Sequence, residues 1–429
     1  MTGDPLTYGQ AIEKLSGALT FGINPSLEGI HALAEALGRP QDAFSCVQVT
    51  GTNGKTSVTR TAGALLTAHG FRTGVYTSPH LVSYTERIEI DGVPLSEERF
   101  AAALSDVFSA AEALPGPFTE FELLTAAGLH LFREQRVEHA VLEVGMGGRW
   151  DATSVVSPRV AVITGVALDH TDRLGSTRRE IAWDKAHIVK PSTEFVITGP
   201  GCDGVEDIIQ ERADQFDARV MPVGREHADW RITKRPRALG DRVMFDVSGL
   251  REYRGLAIAA PAYQVPNVVV AIATCCAATL SVLDRPATAS ALANLTFPGR
   301  FEVLRRDPPL VIDGAHNPDA AHVLSGAIAE VFSATPPVIV LSVLAEKDAE
   351  GIVRALAPVA RAFVVTHNGS PRCMETSALA SVVESVTGVR PVVEDELARA
   401  MEVASKDDFP VVVTGSLYTA GGVRRLLNG

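Results

Sequence analysis

Residues 49–57 read VTGTNGKTS: two glycines, a lysine and two adjacent hydroxyls after an apolar run. Gly51 and Gly54 let backbone approach an anion closely, a helix starting at Lys55 turns unbonded N–H groups toward it, and Lys55 adds a point charge. Thr56 or Ser57 supplies a hydroxyl for a magnesium ion held with the phosphates. The stretch departs from GxxxxGK[ST], because Val49 occupies the place of the first glycine. Gly51, Thr52, Asn53, Gly54, Lys55, Thr56 and Ser57 therefore read as a variant phosphate-binding loop. The alternative, a glycine-rich turn that binds nothing, is disfavoured by the strand–turn–helix setting.

Other candidate groups fall at the ends of apolar runs. Glu143 follows Ala140-Val141-Leu142 and reads either as a magnesium ligand at the carboxyl edge of a sheet or as a strand-end carboxylate bonded to nearby amides. The next apolar run leads to Leu168-Asp169-His170, where an imidazole is a structural histidine or a second metal ligand. Lys185, between Asp184 and His187, reads by spacing alone as a solvated helix lysine.

The elements that must position these groups alternate. Strands are expected at 43–50, 71–78, 139–145, 159–166 and 194–199, with helices from Lys55 to His69 and at 96–113, 119–135 and 177–189. That order predicts a doubly wound, mostly parallel α/β sheet. Helices near 7–17 and 26–37 precede it, the second started by Asn24-Pro25-Ser26. From about Ala228 to Leu256 short alternating runs suggest a small antiparallel sheet, and a buried helix begins at Gln264. Pro298-Gly299 marks a boundary. Residues 1–297 form the first domain on this reading and residues 298–429 a smaller Rossmann-like α/β domain of about 130 residues, with strands at 301–306, 309–313, 337–344, 361–366 and 410–415.

Composition narrows the function classes. The 429 residues are 46% hydrophobic and 21% charged with net charge −12, the balance of a globular enzyme without the basic footprint of a nucleic-acid binder. Cys46, Cys202, Cys275, Cys276 and Cys373 contain no CxxC pair and read as thiols of a reducing compartment. The N-terminus lacks a secretory pattern, and Pro261, Gln264, Pro266 and Asn267 interrupt the apolar stretch from Leu256 to Leu280, so the expectation is a cytoplasmic protein with no membrane association.

The motifs also form an ordered series: GTNGKTS (51–57), TSPHL (77–81), ERI (86–88), TEFELLTA (119–126), EVGMGGRWDAT (143–153) and LDHTDRLGST (168–177). YQVPN (263–267), FPGRFE (297–302), DGAHNP (313–318), EKD (346–348) and VTGSLY (413–418) continue it. From about residue 8 to the C-terminus the chain resembles the bacterial dihydrofolate synthase/folylpolyglutamate synthase family, relatives of the Mur peptide ligases. The resemblance implies two domains closing over ATP, with Asn267 at the adenine and Arg300, Asp313 and His316 also reaching ATP. It implies a first magnesium at Ser78 and Glu143, with Thr56, and a second at Glu143, His170 and Lys185, the lysine being a carbamate. Ser78, Pro79, His80, Phe121, Asp151, Ala152 and Ser416 would shape the substrate site, although spacing alone makes Phe121 a core residue. Two departures stand out: DKAHI (184–188) replaces EKAGI, putting His187 beside the carbamate, and Ser154 replaces the asparagine of DATN.

The implied reaction is ATP-dependent addition of L-glutamate to dihydropteroate or to the terminal glutamate of a reduced folate, through an acyl phosphate. Lys55, Lys185 and His316 are its expected catalytic residues and a monomer its expected state. The competing expectations are a Mur-type ligase with another carboxylate, disfavoured by the short chain before residue 49, and a nucleotide-binding module without turnover.

Overall fold

In the computed structural model, residues 6–18, 25–224, 229–235, 239–249 and 251–428 are described. Asn24 of the expected turn and Ala228 lie outside them. The chain forms two compact units: Met1–Trp230 with Val247–Arg254 and Pro266–Leu292, and Arg231–Asp246 with Gly255–Val265 and Ala293–Gly429.

The first unit is built on eight strands: β1 (Ser45–Thr50), β2 (Thr73–Tyr76), β3 (Ile88–Ile90), β4 (Val93–Pro94), β5 (His139–Glu143), β6 (Val160–Gly165), β7 (Phe195–Gly201) and β8 (Arg219–Pro222). Their order is β4-β3-β2-β5-β1-β6-β7-β8. All neighbours from β2 to β8 pair in parallel, while β3 and β4 add an antiparallel edge. The central strands are buried on both faces, which is why VAVITG reads as a nearly continuous apolar run, while SCVQVT carries Gln48 and Thr50 into the interior. Because β1 lies between β5 and β6, the ends of these three strands converge on the loop after Thr50.

Helices cover both faces. Glu97–Glu112 and Glu120–Glu134 pack Phe100, Leu104, Leu124 and Phe132 into one core, and Arg178–Ala186 and Glu206–Asp214 pack Ile181 and Ile209 into another. Two starts are fixed by capping boxes, Thr119 with Glu122 and Thr177 with Glu180. The second box sets the register of the helix carrying Lys185. The helix Val265–Thr279 begins after a turn at Ala262–Gln264, and its Cys275 Sγ lies 3.4 Å from the Ala62 carbonyl. Ala262–Thr279 is long and apolar enough to cross a membrane, yet 67% of it is buried within the protein, as in a core helix.

Strands β9 (Asp229–Lys234), β10 (Val243–Ser248) and β11 (Tyr253–Ile258) form a three-stranded sheet in the order β11-β10-β9. The short links between sequential strands make it an antiparallel meander.

The second unit holds β12 (Glu302–Arg306), β13 (Pro309–Ile312), β14 (Val338–Leu341), β15 (Ala362–Val365), β16 (Val392–Val393) and β17 (Val411–Thr414), ordered β12-β13-β17-β14-β15-β16. Only the β12–β13 hairpin is antiparallel. Strands β3, β4, β8 and β16 were not anticipated: each is an edge or near-edge strand of two to four residues, too short to show a period.

The helix Lys55–Ala68 lies so close to β2 that a Cβ added at Gly63 would collide with Val75 Cγ2. Gly63→Ala should therefore cost about 1–3 kcal/mol of stability by overpacking, read as a lower urea midpoint with unchanged slope. An unchanged midpoint would show that the helix lifts freely from the sheet.

Candidate active site

The loop after β1 is pinned from the next strand. Thr164 at the end of β6 donates its hydroxyl to the Asn53 carbonyl at 2.6 Å and approaches the Thr50 carbonyl at 3.3 Å. Thr52 accepts from the Ala167 N–H at 3.0 Å and donates to the Ala167 carbonyl at 3.1 Å. Gly54, at φ +86°, caps the helix with its backbone in the left-handed region, and a Cβ there would meet Asn267 Oδ1 at 2.5 Å. A side chain at Gly54 is thus excluded twice over, and Asn267 stands against the loop. Gly54 offers no side chain to cap the helix, so its first N–H groups face the anion site expected of Gly51–Ser57.

Lys55 Nζ donates to the carbonyls of Gly51, at 3.0 Å, and Thr52, at 3.2 Å. Lys185 Nζ donates to the same Gly51 carbonyl at 3.0 Å. Lys185 is 3% exposed, so it is not a solvated helix lysine. Burial first, and then the Lys55 charge, pull its pKa down to about 7, opposed by Asp184, Asp169 and Asp151.

Glu143 closes the other side. It is 1% exposed, accepts from Thr56 Oγ1 at 2.8 Å and receives the Ser78 N–H at 3.3 Å. The structure thus brings Thr56, Ser78 and Glu143 together beside the loop. A carboxylate with two hydroxyl residues, all hard oxygen donors next to a phosphate cradle, fits a magnesium ion that takes its remaining ligands from phosphate and water. His170 starts the short helix Thr171–Leu174 with φ +50°, its N–H bonded to Asp169 Oδ1 at 2.9 Å. No cluster of three or more His, Cys, Asp and Glu side chains able to hold a metal forms among the described residues.

The loop after β5 wraps onto the Lys185 helix. A Cβ at Gly147 would collide with Asp184 Oδ1, and one at Gly148 would meet the Lys185 carbonyl at 2.7 Å. Asp151 is buried, accepting from the N–H groups of Met146 and Thr153, both at 3.0 Å. It caps the turn Ala152–Val155, and burial raises its pKa. Phe121 is half-buried: its ring packs at 6.2 Å from Tyr76, and a Cβ at Gly145 would touch it. Phe121, Asp151 and Ala152 therefore belong to one wall, which continues through Trp150 into an open cleft lined also by Pro25, Ser26, Leu27, Glu28 and His31. His80 accepts from Arg87 Nε at 3.0 Å and its ring packs 4.2 Å from that of Tyr84 at a tilt of 47°, whereas Pro79 is exposed.

In the second unit Asp313 is 4% exposed and accepts from the Phe301 N–H at 2.7 Å, the Ala315 N–H at 2.8 Å and the Tyr263 hydroxyl at 3.1 Å. Burial raises its pKa, opposed chiefly by Arg300, whose guanidinium flanks Gly314. His316 Nδ1 lies 2.8 Å from the Gly314 carbonyl; a carbonyl only accepts, so Nδ1 carries the proton. Ser416 is buried, and its hydroxyl accepts from the Tyr418 N–H at 3.1 Å at the start of Leu417–Asn428. The structure gathers Arg300, Asp313 and His316 at the carboxyl edge of this sheet, next to β17 and the Ser416 turn, through the Asp313 N–H to Val413 and Gly415 N–H to Ala315 bonds.

Two departures resolve locally. His187 turns to Trp183, with Nδ1 2.8 Å from the Trp183 carbonyl and the rings 4.3 Å apart. Ser154 donates to the Gly148 carbonyl at 2.6 Å and accepts from the buried Gln48 at 3.0 Å, while Lys190 Nζ donates to the carbonyls of Ser154 and Val156. Gln48, Thr164, Asp169 and Lys190 were not anticipated, although Asp169 adjoins His170 and Gln48 adjoins Val49.

Residues 49–275 match the Mur ligase middle domain and residues 299–417 the Mur ligase glutamate ligase domain. Dihydrofolate synthase/folylpolyglutamate synthase of Mycobacterium tuberculosis is 39% identical over 94% of this chain and 90% of its own length. This chain belongs to the Mur ligase family, in its dihydrofolate synthase/folylpolyglutamate synthase branch. The structure of Mycobacterium tuberculosis folylpolyglutamate synthase complexed with ADP matches with a TM-score of 0.91 at 37% identity, over 98% of both chains. A bifunctional folylpolyglutamate synthase/dihydrofolate synthase with Mn, AMPPNP and L-glutamate bound matches with a TM-score of 0.85 at 28% identity, over 99% of this chain and 98% of that one. As a member of this branch the chain is an ATP-dependent glutamate ligase that works with a nucleotide and a divalent metal.

The buried amine gives a signed prediction. With a folded pKa near 7 against an ordinary 10.5, Lys185 makes folding unfavourable below pH 7, and that cost fades as pH rises toward 10.5 because the unfolded chain then binds the extra proton less. In bicarbonate-free buffer, the gain in unfolding free energy from Lys185→Met should shrink between pH 7 and pH 10. A pH-independent gain would mean the amine is not shifted. Lys55→Met should reduce turnover by about a hundredfold or more, as loss of a preorganised charge does, with the unfolding midpoint retained.

Proposed function

We propose that this chain uses ATP to join L-glutamate to dihydropteroate and to the terminal glutamate of reduced folates. The observation that carries the reading is the convergence of Lys55 and Lys185 on one carbonyl, that of Gly51, each at 3.0 Å. Two lysines cannot share a buried carbonyl in their charged forms at low cost, so the arrangement suits a site that receives phosphates and modifies one amine.

The substrate carboxylate attacks the γ-phosphorus of ATP, the bond to the β-phosphate oxygen breaks, and ADP leaves. The neutral amine of glutamate then attacks the acyl carbon; the C–O bond to phosphate breaks, giving amide and inorganic phosphate. Lys55 and the helix N–H groups hold the phosphates in line. His316, its Nδ1 proton committed to Gly314, keeps an acceptor at Nε2 as the neutral ring and serves developing negative charge as the imidazolium, which donates from both nitrogens. Arg300, Asp313 and Asn267 are assigned to the nucleotide, with Asn267 at the adenine.

Thr56, Ser78 and Glu143 would hold one magnesium ion, and Glu143, His170 and a Lys185 carbamate a second; such ions neutralise phosphate charge when bound. A pKa near 7 leaves Lys185 with the neutral amine that attacks carbon dioxide, forming an N–C bond and releasing a proton. The cleft beside Trp150 is assigned to the folate, with Phe121, Asp151, Ala152 and the Ser78-Pro79-His80 turn along the route to the phosphates, and Ser416 to substrate. A first domain of residues 1–297 and a second of 298–429, a monomeric state and a cytoplasmic location complete the proposal, the last supported by five free thiols.

The test is ADP release and product mass with Mg-ATP, L-glutamate and either dihydropteroate or a reduced folate. Each substrate should gain one glutamyl residue per ADP; ADP formed without either carboxylate, or with neither extended, would refute the assignment.

A further inference from the structure

The loop that carries Trp150 also carries an arginine the reaction above does not use. The Arg149 guanidinium lies 4.6 Å from the Trp150 ring centroid and 5.0 Å from that of Trp183. Both indoles are exposed for their type, Trp150 at 37% and Trp183 at 49%. His187 continues the row, its ring 4.3 Å from Trp183 and held by the Trp183 carbonyl. The row is anchored at both ends: Gly147 and Gly148 lock the loop against Asp184 and the Lys185 carbonyl, and Trp183 belongs to the same helix.

Indoles attract a guanidinium through their faces and leave its in-plane N–H groups uncommitted. Among the described residues Arg149 has no hydrogen bond and no ion pair; its contacts are the two rings. A guanidinium ordered in advance, unneutralised and beside a cleft, is a receptor for a planar anion, because its rotamer entropy is already spent and its fork matches a carboxylate.

We infer that Arg149, held between Trp150 and Trp183, is a carboxylate subsite that receives a glutamyl α-carboxylate, either of the folate's tail or of the incoming glutamate. The inference rests on the cleft beside Trp150 taking the folate. It makes Arg149 a specificity determinant, because dihydropteroate carries only the carboxylate that reacts, whereas every glutamylated folate brings further ones. His187 acts as a positioning residue that keeps Trp183 upright against the guanidinium. This gives the departure from EKAGI a role away from the phosphates.

The experiment compares wild type, Arg149→Met, Arg149→Lys and His187→Gly in steady-state kinetics with dihydropteroate, a reduced folate monoglutamate and its triglutamate. KM is measured for each and for L-glutamate and ATP. Arg149→Met keeps an apolar stem between the indoles and removes the charge, so it should raise KM about tenfold, the scale of one charge-assisted hydrogen bond. A rise for the glutamylated folates alone assigns the tail; a rise for L-glutamate, with dihydropteroate as acceptor, assigns the incoming amino acid. In either case Arg149→Lys recovers part of the loss, His187→Gly shows a weaker change of the same selectivity, and KM for ATP stays within about twofold. Equal rises for dihydropteroate and the glutamylated folates, or no rise in any KM, would overturn the subsite. Wild type that extends none of the three would instead refute the folate assignment itself.

Discussion

The first unit is organised around the Gly51 carbonyl. Two amines donate to it from different helices, one at the head of the phosphate loop and one from the helix that follows β6. Placing Lys185 there requires the Thr177–Glu180 capping box to set helix register and Gly147 and Gly148 to admit the helix backbone. Its burial then perturbs the amine, and the same neighbourhood places Glu143 on Thr56. The meeting of Lys55, Lys185, Thr56 and Glu143 is thus a consequence of three parallel strands ending together.

The parallel order β2-β5-β1-β6-β7 determines which chemistry meets. With β1 flanked by β5 and β6, the carboxylate after Leu142 and the hydroxyl of Thr164 reach opposite sides of one loop. This is the carboxyl-edge rule of open α/β sheets applied at its central strand. The loop after β5 is held differently: Gln48, Ser154 and Lys190 hold its polar backbone in the interior, leaving Trp150 facing outward.

Much of this was legible because it is local. Long apolar runs announced β1, β5, β6 and β7, and the GTNGKTS spacing announced the cradle. Glu143 could be placed at a strand end from the run before it. What remained hidden depends on contacts between distant segments: Thr164 is ordinary until β6 lies beside β1, and Lys185 reads as solvated until the glycines of 147–148 let its helix sink. Arg149 and Trp183 are 34 residues apart and show no motif that would pair them. The short edge strands escaped because two to four residues carry no period. His187 and Ser154, conspicuous as departures from a pattern, turned out to have local partners that no spacing could name.

The central claim is that the phosphoryl group passes to the substrate carboxylate on the cradle beneath Lys55 and Lys185. It is tested most directly by supplying dihydropteroate with both carboxylate oxygens labelled as oxygen-18, together with Mg-ATP and L-glutamate, and measuring the label in the phosphate released. An acyl phosphate predicts one labelled oxygen in each phosphate formed and one retained in the amide. Unlabelled phosphate, with ADP still produced, would contradict it.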